Sequence, residues 1–310
     1  MKMRYCLLIG SVLGSLLAGT ADVRADSGDL PQGAQKRVDD AYRRRNFTFS
    51  DFGRDYGEFK NYLNREYGFD YSFDVSYMPQ RGAPNGRKTA YQTLISPSFT
   101  WTAFNNEYGT GTLNFAYTVA RYGGSQAARI GGNIGAVTEI NDYDDKSNAF
   151  NELYYSYQAG GSWKWLTVAA GQFPLSNFDG TAYDSNQQVN FINYALSQNA
   201  SSTYSTAGVG TYVQIAPNSD WTFVLGAQDA TNVDGISVRF NNLNEEHYAT
   251  FGYIAYSPTI KGLGAGQYSV LLYNQPWVEE QKQTTNGWSV NLSQAIGDKL
   301  TVFGRVNGVS

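Results

Sequence analysis

The chain has 310 residues, of which 24 are Tyr, 17 Phe and 6 Trp, with a single Cys and a formal net charge of −4. This acidic balance gives no indication of nucleic-acid binding, and the lone Cys6 excludes a disulfide framework within the chain. A chain that is rich in aromatic residues and has no cross-links favours an extensive hydrogen-bonded sheet.

The first 25 residues have the pattern of a secretory signal peptide. Lys2 and Arg4 precede an apolar run over residues 5–18, and a small-residue end follows at residues 23–25. The run is shorter than the roughly 20 apolar residues that a membrane-spanning helix needs, and no second run of that length follows. We therefore expect export of the chain and removal of residues 1–25.

Residues 26–66 form a polar segment that we predict to be partly helical. Its charged side chains crowd together and include the run Arg43-Arg44-Arg45. This run is a candidate contact for lipopolysaccharide phosphates, although charge runs are more often solvated helix faces.

From Phe69 onward, apolar and polar residues alternate with the period of two that is typical of half-buried strands. In the first strand, Phe69 and Tyr71 alternate with Asp70 and Ser72. Candidate strands of about ten residues, near the length of a tilted membrane strand, are 69–77, 91–102, 113–122, 150–159, 163–173, 208–216, 221–229, 248–257, 267–275, 287–295 and 299–308. Of these eleven, the segment 163–173 alternates poorly and is the weakest prediction.

The connections between these strands alternate between short and long. Residues 160–162 and 296–298 are short links, whereas residues 123–149 and 174–207 are long ones. Transmembrane barrels have tight periplasmic turns at one rim and long extracellular loops at the other, and closure of the sheet satisfies backbone groups that lipid leaves without partners. We therefore predict that residues 67–310 form an all-β, transmembrane, antiparallel up-and-down β-barrel.

Short glycine-rich and aromatic motifs occur in the second half of the chain. They are Ala169-Ala170-Gly171-Gln172-Phe173-Pro174, Phe178-Asp179-Gly180, Phe191-Ile192-Asn193, Gly208-Val209-Gly210 and Phe303-Gly304-Arg305. These motifs resemble those of the carbohydrate-selective porins of the OprB family, over roughly residues 58–310. The resemblance implies a barrel of about sixteen strands with a charged and aromatic constriction. It also implies passive diffusion of carbohydrates, such as the monosaccharide glucose, across the outer membrane of a Gram-negative bacterium.

The chain departs from this family pattern in two respects. Eleven strands is an odd number, whereas bacterial single-chain barrels have even numbers, and the chain ends at Ser310 without a terminal aromatic residue. We therefore expect either a C-terminally truncated barrel, which lacks about five strands relative to a sixteen-stranded porin, or a miscounted strand.

Charged side chains that face the expected lumen are candidates to contact a solute. They are Asp70, Asp74, Glu152, Asp179, Asp229 and Arg305. Arg supplies up to five donors in a planar fork, and fixed charges of both signs orient polar solutes. The alternative, to which we give equal weight, is that inward charges pair across the lumen and brace the wall.

The connection over residues 174–207 is the longest, and loops of this length are usually functional or disordered. One interpretation is a constriction loop that folds into the lumen and presents donors and acceptors to a sugar. The polar side chains available for this are Asp179, Asp184, Asn186, Gln187, Gln188 and Asn190. The other interpretation is a loop that packs over the barrel mouth, and the sequence leaves both open.

We predict no enzymatic activity, no cofactor and no metal site. The only His, His247, follows Glu245 and Glu246 without a nucleophile motif. The expected partners are sugars or other small polar solutes, outer-membrane lipid and lipopolysaccharide, and the barrel-assembly machinery, with a monomer or homotrimer as the assembly. Two alternatives remain: a non-selective general diffusion porin, and a secreted soluble all-β carbohydrate-binding module, against which the loop asymmetry argues.

Overall fold

A computed structural model describes residues 49–83, 88–125, 127–135, 148–181, 183, 191 and 193–310. The signal peptide expected at residues 1–25, the arginine run at residues 43–45 and the loop residues 184–190 lie outside the described residues.

Within the residues that the structure describes, three α-helices flank or interrupt the strands. Helix α1 spans Phe49–Tyr67, α2 spans Ala127–Ile134 and α3 spans Tyr194–Ser197. Helix α1 thus confirms the predicted helical character of the polar N-terminal segment, over the part of that segment that the structure describes. Within the described ranges, none of the helices is both long enough and apolar enough to cross a membrane.

Helix α1 lies against the first strand that follows it. The Lys60 ammonium is 3.0 Å from a carboxylate oxygen of Asp70 and 5.7 Å from the centroid of the Tyr71 ring. Tyr56 packs edge-on against that same ring, with centroids 6.0 Å apart. One residue of the helix therefore makes both an ion pair and a cation–π contact with consecutive strand residues.

The strands form one antiparallel sheet. They are β1 (Phe69–Arg81), β2 (Thr89–Asn106), β3 (Gly109–Gly124), β4 (Asn148–Ala159), β5 (Leu166–Phe173), β6 (Gly208–Ile215), β7 (Trp221–Asp229), β8 (Tyr248–Tyr256), β9 (Thr259–Ile260), β10 (Gly264–Gln275), β11 (Thr285–Ile296) and β12 (Leu300–Val309). Each long strand pairs with its neighbours in chain order, and the two-residue β9 pairs with β10 beside the main path. The eleven predicted strands are therefore confirmed in their order and approximate position.

One strand is shorter than the sequence predicted. The candidate 163–173 begins as β5 only at Leu166, because a 3-10 turn occupies Gly161–Trp163. Gly161 has a φ of +57°, a left-handed conformation that glycine adopts without steric cost. The poor alternation in this segment therefore reflects a turn within the predicted range.

The two faces of the sheet differ in polarity, and β11 shows this most clearly. Ser289 and Asn291 are buried, whereas Trp288, Val290 and Leu292 between and beside them are exposed. We call the face that carries Ser289 and Asn291 the inner face and the opposite one the outer face. The strand register extends these two faces through the whole sheet.

The outer face carries cross-strand aromatic stacks near one rim. Trp221 lies opposite Tyr256 in the β7–β8 pair, and their ring centroids are 4.6 Å apart. Phe223, two residues along β7, stacks on the same indole with centroids 5.8 Å apart. Such pairs are a typical source of sheet stability.

The connections alternate in length as the sequence predicted. Tight links at one rim join β2 to β3, β4 to β5, β6 to β7, β8 to β10 and β11 to β12. At the other rim four links are longer than any of these, and the β1–β2 link over residues 82–88 equals the β8–β10 link over residues 257–263 in length. In the β6–β7 link, the Asn218 side-chain oxygen accepts hydrogen bonds of 3.0 Å from the backbone N–H groups of Asp220 and Trp221. This local bond is typical of tight turns.

Candidate functional site

The longest connection, residues 174–207, leaves the sheet at the end of β5 and turns onto the inner face. Gly171 has a φ of +134°, and a Cβ atom there would lie 2.3 Å from the Leu153 carbonyl oxygen. Its partner across the strand pair is Gly210, where a Cβ atom would lie 2.1 Å from the Ala227 carbonyl oxygen. Only glycine fits both positions, so these residues allow β5 to approach its neighbours closely before Pro174 ends it.

An apolar cluster holds the start of this connection against the inner face. Phe178 packs on Phe251 of β8, Tyr253 of β8 and Tyr212 of β6, with ring centroids 5.1, 5.6 and 5.3 Å apart. Leu175 is fully buried in the same cluster. Burial of one such side chain contributes about 1.5–3 kcal/mol. The described start of the connection therefore folds onto the inner face, whereas Asp184, Asn186, Gln187, Gln188 and Asn190 of the constriction-loop interpretation lie outside the described residues.

Asp179 follows directly and is 2 % exposed. One carboxylate oxygen accepts hydrogen bonds from the Asn199 amide at 2.8 Å and the Tyr204 hydroxyl at 2.9 Å. The other accepts one of 3.4 Å from the amide of Asn291 on β11. Three protein donors thus engage the carboxylate, instead of its being presented to a solute as the sequence predicted. It joins the segment that leaves β5, which we call the outgoing limb, to the segment that leads back to β6, which we call the returning limb.

The connection reaches as far as β12. Phe303 on β12 packs against Phe191 and Tyr183, with ring centroids 4.6 and 5.7 Å apart. The Asn307 amide, also on β12, donates hydrogen bonds to Asn199 and Ser201. Six strand steps of about 4.8 Å separate β5 from β12 along the sheet, an arc of roughly 29 Å. Residues 174–207 therefore bridge widely separated parts of the wall.

A third set of contacts fixes the returning limb. Thr203 accepts or donates a 2.6 Å hydrogen bond with the Thr285 hydroxyl at the start of β11. The Thr203 backbone N–H donates to the Tyr273 hydroxyl of β10 at 3.2 Å. The returning limb is therefore tied to two neighbouring strands before it enters β6.

Two other candidate residues lie beside the connection. Asn177 donates a 2.7 Å hydrogen bond to Glu152 on β4. Arg305 donates one of 2.6 Å from Nε to the side-chain oxygen of Asn291. Because Asn291 also donates to Asp179, it links the carboxylate to the guanidinium. The structure thus brings Asp179 and Arg305 together, with Glu152 on the opposite side of the same loop segment.

Asp70 and Asp74 lie on the inner face of β1, away from this network. Asp70 pairs with Lys60 of α1, and Asp74 accepts a 2.8 Å hydrogen bond from the Ser72 hydroxyl. Both carboxylates are exposed. Of the six candidates, these two are the ones most open to solvent.

The structure corrects the placement of Asp229. It was predicted to face the lumen, but it is 1 % exposed and follows Gln228, whose side chain takes the inner face opposite Ala249. One Asp229 oxygen accepts hydrogen bonds from the backbone N–H and the hydroxyl of Thr231, at 3.0 and 2.8 Å. The carboxylate therefore shapes the turn after β7, because successive strand residues point to opposite faces.

The inner face divides into two walls. The covered wall consists of residues that are 9 % exposed or less beneath or beside the connection: Val224, Phe251, Tyr253, Leu271, Tyr273, Ser289 and Asn291. The open wall consists of half-buried or exposed residues of β1, β2 and β3: Asp70, Ser72, Asp74, Ser98, Thr100 and Asn114. These side chains of the open wall are polar and stay at least partly accessible.

Sequence reasoning missed the residues that bind the connection, chiefly Asn199, Tyr204 and Asn291. A signal for them was present in β8 and β10. In both strands, apolar side chains occupy the inner face as well as the outer face, as with Phe251 and Leu271. An inner face that is apolar indicates that something packs on it, because such side chains are costly to leave in water.

A cavity of about 600 Å³ lies beside the covered wall. Leu225, Leu272 and Trp288 of the outer face line it around Gly252, together with Phe251 and Tyr273 of the covered wall.

The chain is similar in sequence to proteins that are named porins. No family model matches the chain. Porin AaxA of Chlamydia felis is 39 % identical over 257 residues, which are 80 % of this chain and 57 % of the relative. Porin AaxA of Chlamydia pneumoniae is 40 % identical over 248 residues, which are 77 % of this chain and 56 % of the relative. The chain thus spans about half the length of the curated relatives that it matches.

The structure is also similar to a solved porin. OprB of Pseudomonas putida, in its high-pH structure, aligns with a TM-score of 0.60 at 13 % identity, over 83 % of this chain and 70 % of that chain. The chain has the fold of an OprB-type porin. The predicted fold class and the resemblance to OprB are therefore confirmed. In this fold the inner face is the lumen side of the wall, so the open and covered walls are two parts of a lumen surface.

Proposed function

We propose that the chain forms the wall of an outer-membrane porin through which small polar solutes diffuse passively. The observation that carries this proposal is the division of the inner face: a long connection is anchored inside the wall, and a polar strip is left uncovered beside it. The apolar outer face fits contact with lipid, which must be met by apolar side chains. The similarity to chains named porins supports the same function.

The finer proposal is that the solutes are carbohydrates, in particular monosaccharides. Ser98, Thr100 and Asn114 of the open wall offer hydroxyl and amide groups that both donate and accept hydrogen bonds. Asp70 and Asp74 add acceptors nearby on β1. Sugar hydroxyls are donors and acceptors as well, so this wall can replace part of their hydration during passage.

The remaining parts of the proposal concern location and partners. Export by the signal peptide at residues 1–25 leads to insertion by the barrel-assembly machinery into the outer membrane of a Gram-negative bacterium. Outer-membrane lipid and lipopolysaccharide then surround the outer face, in a monomer or homotrimer. The relatives are porins, which are channels, and the proposed function includes no catalytic step.

The test is solute flux through liposomes that contain the full chain. Swelling rates are measured with sugars, amino acids and salts of matched size. Faster entry of monosaccharides than of the matched amino acids supports carbohydrate preference, whereas rates that follow size alone indicate a general diffusion porin. No swelling above empty liposomes contradicts porin function.

A variant pair tests the open wall directly. We expect Asp74→Asn to change the relative rates for charged and neutral solutes, because it removes an exposed charge from the lumen surface. Asp220→Asn, in the tight β6–β7 link, removes a charge of the same kind at the rim and serves as the matched control. Equal effects of the two substitutions contradict a solute path along the open wall.

A further inference from the structure

We infer that Asp179 is the positioning residue that sets the aperture of the proposed pore, because it holds the described parts of the connection, residues 174–181 and 193–207, against the covered wall. The inference deepens the proposed function and rests on it. The sequence predicted that Asp179 contacts solute, whereas in the structure it is buried and hydrogen-bonded to three protein donors.

The hydrogen bonds around Asp179 require a carboxylate. All three partners donate: the amides of Asn199 and Asn291 and the hydroxyl of Tyr204. An ionised carboxylate only accepts, so it satisfies all of them, whereas a carboxamide offers one oxygen and places its own N–H groups against a donor. A buried donor that is left without its partner costs about 1–3 kcal/mol, and more for charged groups. No isosteric neutral side chain can therefore replace Asp179.

The same three bonds join parts of the connection that are otherwise separate. Asp179 lies in the outgoing limb, Asn199 and Tyr204 lie in the returning limb, and Asn291 belongs to the wall. Asn199 in turn accepts a hydrogen bond from Asn307 on β12. Asp179 is therefore the point at which both limbs and two wall strands meet.

The place of the connection decides how much of the lumen stays open. Its apolar start is packed on β6 and β8 through Phe178, and that part stays in place when Asp179 changes. The described segment of the returning limb around Asn199 packs on the covered wall through Asn307 and Asp179, and in the proposed pore it stands between that wall and a solute path along the open wall. Movement of this limb changes the distance between it and the open wall, and that distance is the width of the path.

The experiment compares single-channel conductance of the full chain and its Asp179→Asn variant in planar bilayers, together with exclusion of neutral polymers of increasing size. We expect the variant to have higher conductance, more current noise and a size limit that shifts to larger polymers. Asp220→Asn is the matched control and is expected to leave all three unchanged. Tyr204→Phe removes one donor with little change in volume and gives a smaller shift in the same direction, so the test remains available if Asp179→Asn does not fold.

A disulfide between the connection and β11 distinguishes a change in the position of the connection from a general loss of structure. In a Cys6→Ser background, Thr203→Cys and Thr285→Cys replace two side chains whose hydroxyls lie within hydrogen-bond distance of each other, at 2.6 Å, so oxidation is used to join the connection to β11 at this contact. Added to Asp179→Asn, the oxidised pair is expected to restore the wild-type conductance and size limit, and reduction is expected to remove them again. A merely destabilised barrel does not recover in this way.

Chymotrypsin cleavage in the connection supplies a readout that needs no conduction, because Leu196 is 49 % exposed there. We expect faster cleavage in Asp179→Asn. A wild-type chain that conducts, with conductance, size limit and cleavage all unchanged in Asp179→Asn, overturns this inference alone. A wild-type chain that does not conduct, whatever its cleavage, overturns the proposed function.

Discussion

The open wall and the covered wall share one strand geometry but have different inner surfaces. On β1 from Asp70 to Ser76 and on β2 from Ser96 to Thr102, the inner positions are held by small polar or acidic residues such as Asp74 and Ser98, which stay accessible. On β8 and β10 the equivalent positions are held by Phe251 and Leu271, which are 5 % and 0 % exposed. The described residues of the connection, 174–181 and 193–207, pack on the covered wall, which explains its apolar surface.

This comparison shows that polarity on the inner face reports what the face contacts. A wall that meets water needs polar side chains, whereas a wall that meets a folded loop needs an apolar surface with satisfied hydrogen bonds. Asn291 shows the second requirement, because it is 1 % exposed and bonded to both Asp179 and Arg305. Part of the inner face therefore behaves as a protein interior.

The largest expected effect is on the apolar contact between the connection and the covered wall. Phe178→Ala removes a ring that packs on Phe251, Tyr253 and Tyr212, so we expect the free energy of unfolding to fall by about 3–5 kcal/mol. Urea unfolding in detergent micelles measures this. The control is Phe73→Ala on the outer face of β1, where the ring is 50 % exposed. An equal loss in both variants removes the distinction between the walls.

Accessibility is the next test. In the Cys6→Ser background, Ser98→Cys on the open wall and Ser289→Cys on the covered wall are treated with a water-soluble maleimide. Ser289 is fully buried, so labelling there must wait for local opening, and we expect it to be slower by about a hundredfold. Similar rates at the two sites show that the connection does not cover β11 in solution.

The polar contacts of the two walls give a smaller difference. Asn291→Ala leaves buried partners without a hydrogen bond, so we expect a loss of about 1–3 kcal/mol in the free energy of unfolding. Asn114→Ala removes a 3.3 Å bond with Thr100 on the open wall, where water can replace the amide, and we expect a change within about 0.5 kcal/mol. Urea unfolding of both variants measures these losses. Equal losses of unfolding free energy for Asn114→Ala and Asn291→Ala would contradict the expected difference between the walls.

The smallest effect is expected at the edge of the open wall. Lys60→Met removes the ion pair with Asp70, which is half exposed, and the contact with the Tyr71 ring. We expect a loss of about 1 kcal/mol or less that decreases further as salt is added. Thermal unfolding at two salt concentrations measures it, and a large loss that salt does not alter shows that α1 has a greater part in the fold.

The strands could be predicted from the sequence because the alternation that marks them is a local pattern. Alternation along a strand depends only on neighbouring residues, and the ranges predicted for β7 and β8 agree with the structure to within one residue. The start of β5 was misplaced because Trp163 and Lys164 continue a similar composition into a turn. Local pattern cannot separate a strand from the turn that precedes it when both carry aromatic residues.

The site was harder to predict from the sequence, since it depends on contacts between residues that are distant along the chain. The sequence predicted Asp179 as a solute contact because the residue lies in a long loop beside other polar residues. Its burial is decided by Asn291 on β11 and by Tyr204, neither of which is marked by any local motif. Asp229 was assigned to the lumen from its nearness to a strand end, where the turn through Thr231 changes the direction of the side chain.

The contacts of residues 174–207 have a consequence for the order of folding. Adjacent strands pair through short links and need little loop-closure entropy, so a meander of this kind can form progressively along the chain. The hydrogen bonds that Asn291 donates to Asp179 and that Asn307 donates to Asn199 instead span 112 and 108 residues. They cannot form until β11 and β12 have joined the sheet. Loop docking is therefore a late step that completes an already paired sheet, and the width of the pore is established after its wall.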